Sequence, residues 1–259
     1  MLTITHSETS DDQHMTDLKD PKSRLIFALD VPSLDEAVSF VQKLDGSVGM
    51  FKVGLELFTK EGPAVLAAIK DHSDAEIFLD LKLHDISITV ERSVKSLLKH
   101  PVRFLTVHCS GGETMLKAAV HGAGDSGLEI LGVTVLTNLG PDDHREELGY
   151  RKDLTLKDLA VTRAKMAEKA GCAGVICSGL EIVSIRENSQ NLKIVVPGIR
   201  QNESNLGGND QQRVMTPGQA IQSGADYLVV GRPIRDADDP KAAAQNIVQE
   251  ISEALTSLK

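Results

Sequence analysis

One rhythm runs through the chain from Arg24 onward: a short apolar run, a loop, then apolar residues at helical spacing. The runs cover residues 25–29, 50–53, 77–81, 104–107, 130–135, 175–177, 194–196 and 227–230. They are continuously apolar rather than alternating, the pattern of parallel strands covered on both faces. Eight such runs interleaved with helical patterns predict an α/β fold of the (β/α)8 TIM-barrel type, one domain over residues 24–259. The rival architecture is an open doubly wound sheet. Its dinucleotide-binding version lacks support, because no GxGxxG follows the first run.

Helix boundaries are marked along the chain. Ser33-Leu-Asp-Glu36 reads as a capping box, followed by Leu34, Ala37, Val38, Val41 and Leu44 at helical spacing. Pro63 opens a second helix with Val65, Leu66 and Ile69 facing in, and Val94, Leu97 and Leu98 form a third stripe. Thr155-Leu-Lys-Asp158 starts a longer helix that stops at Gly171. Asp239-Pro240 places an N-cap before a proline at the first helical position. The connections 136–154 and 198–215 are long for a compact domain, which points to a functional role.

Composition excludes several classes. With 28 Lys+Arg against 37 Asp+Glu, the net charge is −9, which argues against a broad grip on nucleic acid or an anionic membrane. An aromatic share of 3% argues against stacking of single-stranded bases. No apolar run reaches the ~18 residues of a membrane span. Residues 1–23 are polar and lack an apolar stretch or an Arg-rich pattern, so they read as a disordered extension rather than a targeting peptide. Cys109, Cys172 and Cys177 cannot all pair and contain no CxxC, so they read as small core residues in a reducing, cytoplasmic compartment.

The sharpest chemical signal is Asp80-Leu-Lys82-Leu-His-Asp85. A strand period of two sends Asp80 and Lys82 to one face and the leucines to the other. A barrel strand has no solvated face, so charges near its C-terminal end look into the barrel mouth, where barrel active sites lie. A structural ion pair would explain this strand alone. Other runs do the same: Asp30 ends the first, Lys52 lies in the second and His108 ends the fourth. Lysines among carboxylates favour the ammonium form, which suits proton donation and not Schiff-base chemistry. Gly231-Arg232 after the eighth run and Arg200 after the seventh fall where barrel enzymes bind phosphate.

Taken together, the segments Phe27-Ala-Leu-Asp30, Phe51-Lys-Val-Gly54, Asp80-Leu-Lys-Leu-His-Asp85, Thr106-Val-His108, Leu131-Gly-Val-Thr-Val-Leu-Thr137, Pro197-Gly-Ile-Arg200, Asp210-Gln211 with Arg213-Val-Met-Thr-Pro217, and Val230-Gly-Arg-Pro-Ile234 resemble the bacterial orotidine 5′-phosphate decarboxylases. The resemblance implies a carboxy-lyase of pyrimidine biosynthesis that converts orotidine 5′-monophosphate to uridine 5′-monophosphate. It implies no metal, flavin or pyridoxal cofactor. Lys82 would protonate C6, and Asp80 would crowd the substrate carboxylate. Lys52 and Asp30 would hold the ribose hydroxyls and complete the network. Asp85, with Thr89 beside it, would reach into a neighbouring subunit's site, which implies a homodimer with shared sites. Thr137 would lie near the pyrimidine, with Asn138 following it, and Gln211 would bridge base and phosphate. Arg200, Gly231 and Arg232 would serve phosphate binding and loop closure. The family usually has Pro-Asn where this chain has Ser87-Ile88, and Ser where it has Asn138. Two rivals share part of the pattern: a magnesium-dependent sugar-phosphate decarboxylase with the same DxKxxD, and a non-catalytic phosphate-ligand-binding barrel. The 210–217 stretch argues against the first, and the complete set of charges against the second.

Overall fold

The computed structural model describes residues 20–140, 149–151, 153–200 and 215–258. Eight parallel strands close into a barrel in sequence order: β1 (Leu25–Ala28), β2 (Met50–Gly54), β3 (Glu76–Leu83), β4 (Phe104–His108), β5 (Glu129–Val133), β6 (Gly174–Ile176), β7 (Lys193–Val196) and β8 (Tyr227–Val230). The β1–β8 pairing, with Ile26 opposite Val229, seals it. The open-sheet alternative is thereby excluded. The helices of the outer layer are α1 (Leu34–Leu44), α2 (Leu55–Glu61), α3 (Ala64–His72), α4 (Ser87–Leu97), α5 (Gly112–Ala123), α6 (Leu156–Ala170), α7 (Ile182–Asn188), α8 (Pro217–Gln222), α9 (Arg232–Arg235) and α10 (Pro240–Ser257).

The apolar runs have a physical cause visible in the core, which has two parts. Ile26, Ala28, Met50, Phe78, Phe104, Leu131, Val133, Ile176, Val195, Tyr227 and Val229 fill the barrel interior. Their sequence neighbours, such as Phe27, Phe51, Leu79, Leu105 and Leu228, pack outward under the helices. Each strand therefore needs apolar residues at both parities of the two-residue period. Phe104 stacks edge-on against Phe78 and Tyr227, which plugs the interior below the mouth.

Several helix ends form as their sequences predict. Thr155 caps α6 by accepting from the Asp158 amide, and Gly171 ends it with a left-handed φ of 85°. Asp239 caps α10 through the Ala242 amide. Cys109, Cys172 and Cys177 are buried thiols that form no disulfide, and burial pushes the Cys109 and Cys172 thiols up to about 12. Other details differ. Ser33 caps α1 through Glu36 N–H, but the Leu34 amide is taken by Glu61 of α2. Pro63 caps a helix as expected, but an additional helix, α2, follows β2 without a loop and precedes it. Leu98 falls just past α4 and is exposed, because it lies outside the buried stripe of Val90, Val94 and Leu97. The 3-10 turn Pro21–Arg24 straddles the boundary drawn between the extension 1–23 and the barrel. Gly49 makes room for it: a Cβ there would sit 2.6 Å from Ser23 Cα.

Candidate active site

The C-terminal mouth of the barrel opens into a cavity of about 560 Å³. Of the residues singled out from sequence, Asp30, Lys52, Asp80, Lys82, Thr137, Arg200, Gly231 and Arg232 line it. Each arrives from a strand end or the loop just beyond. Lys52 is buried and stands on the interior parity of β2, one step above Met50. Asp80 stands likewise above Phe78 on β3.

The charges form one connected array. Asp80 Oδ2 accepts from Lys82 Nζ at 2.8 Å and lies 3.7 Å from Lys52 Nζ. Lys52 Nζ also donates to Asp30 Oδ1 at 3.1 Å. Thr106 on β4 donates from its hydroxyl to Asp80 Oδ1 at 2.9 Å. Burial disfavours the charged form of Asp80. The ammonium groups of Lys52 and Lys82, with the Lys82 and Thr106 hydrogen bonds, outweigh it and hold the carboxyl below its ordinary range. Asp80 is thus an anion clamped between two cations.

The regular alternation expected through Leu83 breaks here. The β3–β4 register passes from Leu79 opposite Leu105 to Leu83 opposite Val107, so β3 bulges between them. Lys82 takes φ 50°, the one non-glycine residue with positive φ among those described. That backbone costs about 1–3 kcal/mol where it is held by its surroundings. Thr106 Oγ1 accepts the Lys82 amide at 2.9 Å and so supports both the bulge and Asp80. The bulge turns the Lys82 side chain back to Asp80 at the mouth.

Opposite this array lies a basic wall. Burial, then the nearby charge of Arg232, push the Arg200 guanidinium down from its ordinary value. Two guanidinium groups that repel each other are stabilised by an anion placed between them. The base of the 198–215 connection is pinned, since Ile199 pairs with Met215 and Arg200 N donates to Met215 O at 3.0 Å. Gln211 lies outside the described residues.

Asp85 and Thr89 are exposed and do not line the cavity, and the same holds for Asn138. His108 is half-buried beside His84, with ring centroids 5.6 Å apart, and it too is absent from the lining. Burial first, then the charges of His84 and Lys82, lower its pKa and favour the neutral ring. Three participants escaped sequence reasoning: Thr106, Glu56 and Arg235. Thr106 shares the interior parity of Phe104, which was a usable signal. Arg235 and Glu56 each lie a few residues past a strand end. Among the described residues no group of three His, Cys, Asp or Glu side chains is placed to hold a metal ion.

Fold and mouth together define a (β/α)8-barrel protein built to hold a small anionic ligand against a lysine–carboxylate array. Comparison with known proteins narrows this. The model of the Orotidine 5′-phosphate decarboxylase / HUMPS family matches residues 23–247, and the chain belongs to that family. It is 48% identical over 239 residues to the orotidine 5′-phosphate decarboxylase of Desulfosudis oleivorans, covering 91% of this chain and 95% of the relative. It is 45% identical to that of Rhodopseudomonas palustris over 243 residues, 93% of this chain and all of the relative. The crystal structure of the Lactobacillus acidophilus decarboxylase superposes with a TM-score of 0.76 at 38% identity, covering 88% of this chain and 98% of that one.

Proposed function

We propose that this chain is a carboxy-lyase of pyrimidine biosynthesis that decarboxylates orotidine 5′-monophosphate to uridine 5′-monophosphate, with Lys82 as the proton donor. The observation that carries the reading is the Lys82–Asp80–Lys52 clamp at the cavity wall. When CO2 leaves C6, the bonding pair stays on a carbon with no delocalised sink. A fixed ammonium beside that carbon stabilises the pair as it forms. Lys82 Nζ then gives its proton to C6 and is re-protonated from solvent. Asp80, held ionised, keeps the array anchored and sets a second negative charge beside the substrate carboxylate, a repulsion relieved as CO2 departs. Asp30 and Lys52 hold the ribose, and Thr137 faces the base. Arg200, Gly231 and Arg232 take the phosphate, whose binding energy fixes the base at a distance. Gln211 bridges phosphate and base, and Asn138 follows Thr137 at the rim.

The same reading includes a homodimer with shared sites. Asp85 and Thr89 are exposed beside Ile86 and Ile88, which are 69% and 48% exposed. Large apolar side chains standing in water beside a carboxylate suit a partner subunit. Mixing Lys82→Ala and Asp85→Ala chains restores one intact site of two if sites are shared, and none if they are not. A cytoplasmic location fits three cysteines that form no disulfide. We also propose that residues 24–259 form one barrel domain preceded by an extension over 1–23.

The test is an absorbance assay with orotidine 5′-monophosphate, with and without EDTA. Rapid loss of substrate absorbance in both supports the reading. Loss of activity with the chelator supports a metal-dependent sugar-phosphate enzyme instead, and no turnover supports a binding barrel.

A further inference from the structure

Arg235 ends the short helix α9 and lines the cavity beside Asp30. Its guanidinium is held on two sides. Nε and Nη2 donate to the two carboxylate oxygens of Asp236 at 2.7 and 3.1 Å. Nη1 donates to the backbone carbonyl of Asp30 at 2.9 Å. A two-point carboxylate grip fixes the plane of a guanidinium as well as its place. With the plane fixed, Nη1 ties the loop after the last strand to the end of the first. The tie lands on the residue whose carboxylate accepts Lys52 at 3.1 Å. Lys52 stands 3.7 Å from Asp80, and Asp80 accepts Lys82 at 2.8 Å. Contacts therefore run unbroken from Asp236 through Arg235, Asp30, Lys52 and Asp80 to Lys82.

Resting on the decarboxylase reading, we infer that Arg235, locked by Asp236, is a positioning residue: it fixes the end of β1 so that Asp30 holds Lys52, and through it Asp80, in register with Lys82. It does not serve as a phosphate ligand. An arginine whose fork is already taken by a carboxylate has little to offer a second anion, and Asp236 places a negative charge where a phosphate would approach it. Arg235 grips Asp236 through two hydrogen bonds, and the charges of Arg232 and Arg200 act on the same carboxylate.

Steady-state kinetics with orotidine 5′-monophosphate separate the two roles, because Asp236 gives them opposite signs. Asp236→Asn removes a negative charge near Arg200 and Arg232. By electrostatics alone it tightens phosphate binding, lowers KM and leaves kcat unchanged. Positioning predicts that kcat falls about tenfold while KM stays the same or drops. Arg235→Met is expected to lose at least as much kcat with little change in KM, and Arg235→Lys to recover part of it. A rise in KM at constant kcat in Arg235→Met would make Arg235 a phosphate ligand and overturn the inference. Unchanged kcat in both variants would do the same while leaving the decarboxylase reading intact. If Arg235→Met does not fold, Asp236→Asn, which keeps the side-chain shape, decides. Absence of turnover by the wild-type chain would overturn the decarboxylase reading and, with it, this inference.

Discussion

Both ends of the barrel are rimmed by opposite charges, and they are wired differently. At the floor, where strands begin, Arg103 reaches Glu76 and Glu129, Lys193 pairs with Glu129, and Arg186 pairs with Asp226. The Arg103 and Lys193 pairs run laterally between strand starts, Arg186 reaches Asp226 from α7, and all lie below the interior plug of Tyr227 and Phe104. At the mouth one largely buried carboxylate, Asp80, serves two lysines, and the neighbouring arginines face a cavity. The cavity lining carries five basic and three acidic side chains, within a protein of net charge −9. Ion pairing alone therefore does not mark a site. The distinguishing features are an open cavity lined by more basic than acidic side chains and a strained backbone at Lys82. An acidic protein can thus present a locally basic pocket to an anionic substrate.

The comparison can be broken or sharpened by substitution. After Lys82, the largest effect is expected of Asp80→Asn. Loss of the anion between Lys52 and Lys82 is expected to cut kcat by at least about 10²-fold. It leaves a buried lysine without its central partner, which costs about 3 kcal/mol of stability by urea denaturation. Next, Arg232→Met is expected to raise KM about tenfold or more with kcat largely kept, read by steady-state kinetics. The pH dependence is smaller. The Asp80 carboxyl is lowered in the folded state. Its contribution to stability is therefore complete above the unfolded value near 3.9 and is lost as pH falls through the lower folded value. Urea midpoints from pH 5 downward are expected to fall more steeply for the wild-type chain than for Asp80→Asn; equal slopes would contradict the assignment. The smallest functional effect is at the floor. Arg103→Met is expected to lose about 1–3 kcal/mol of stability by removing the partner of Glu76 and leaving Glu129 with Lys193 alone, with kcat/KM within about twofold of wild type.

What was legible in the sequence follows from the same physics. The eight strands were readable because each is buried on both faces, and the ranges 104–107 and 227–230 fall within a residue of the observed ends. Asp80 and Lys82 were readable because charges inside an apolar run have few reasons to be there. Helix α2 was not readable, since Gly54 passes from strand to helix with no intervening turn residues. The bulge at Lys82 was hidden because leucines on both sides still fit an alternating strand. Thr106 looks like an ordinary β-branched strand residue until its hydroxyl is seen on Asp80, 26 positions away. Arg235 resembles a helix-end surface arginine, and only the closed β1–β8 seam brings it to Asp30, 205 positions away.

The central claim is that the mouth array performs the chemistry and that Lys82 delivers the proton. Measuring kcat on orotidine 5′-monophosphate for Lys82→Ala, with melting temperature recorded on the same samples, tests it most directly. The account predicts a loss of about 10³-fold or more in a protein that remains folded. A folded Lys82→Ala variant with wild-type turnover would contradict it.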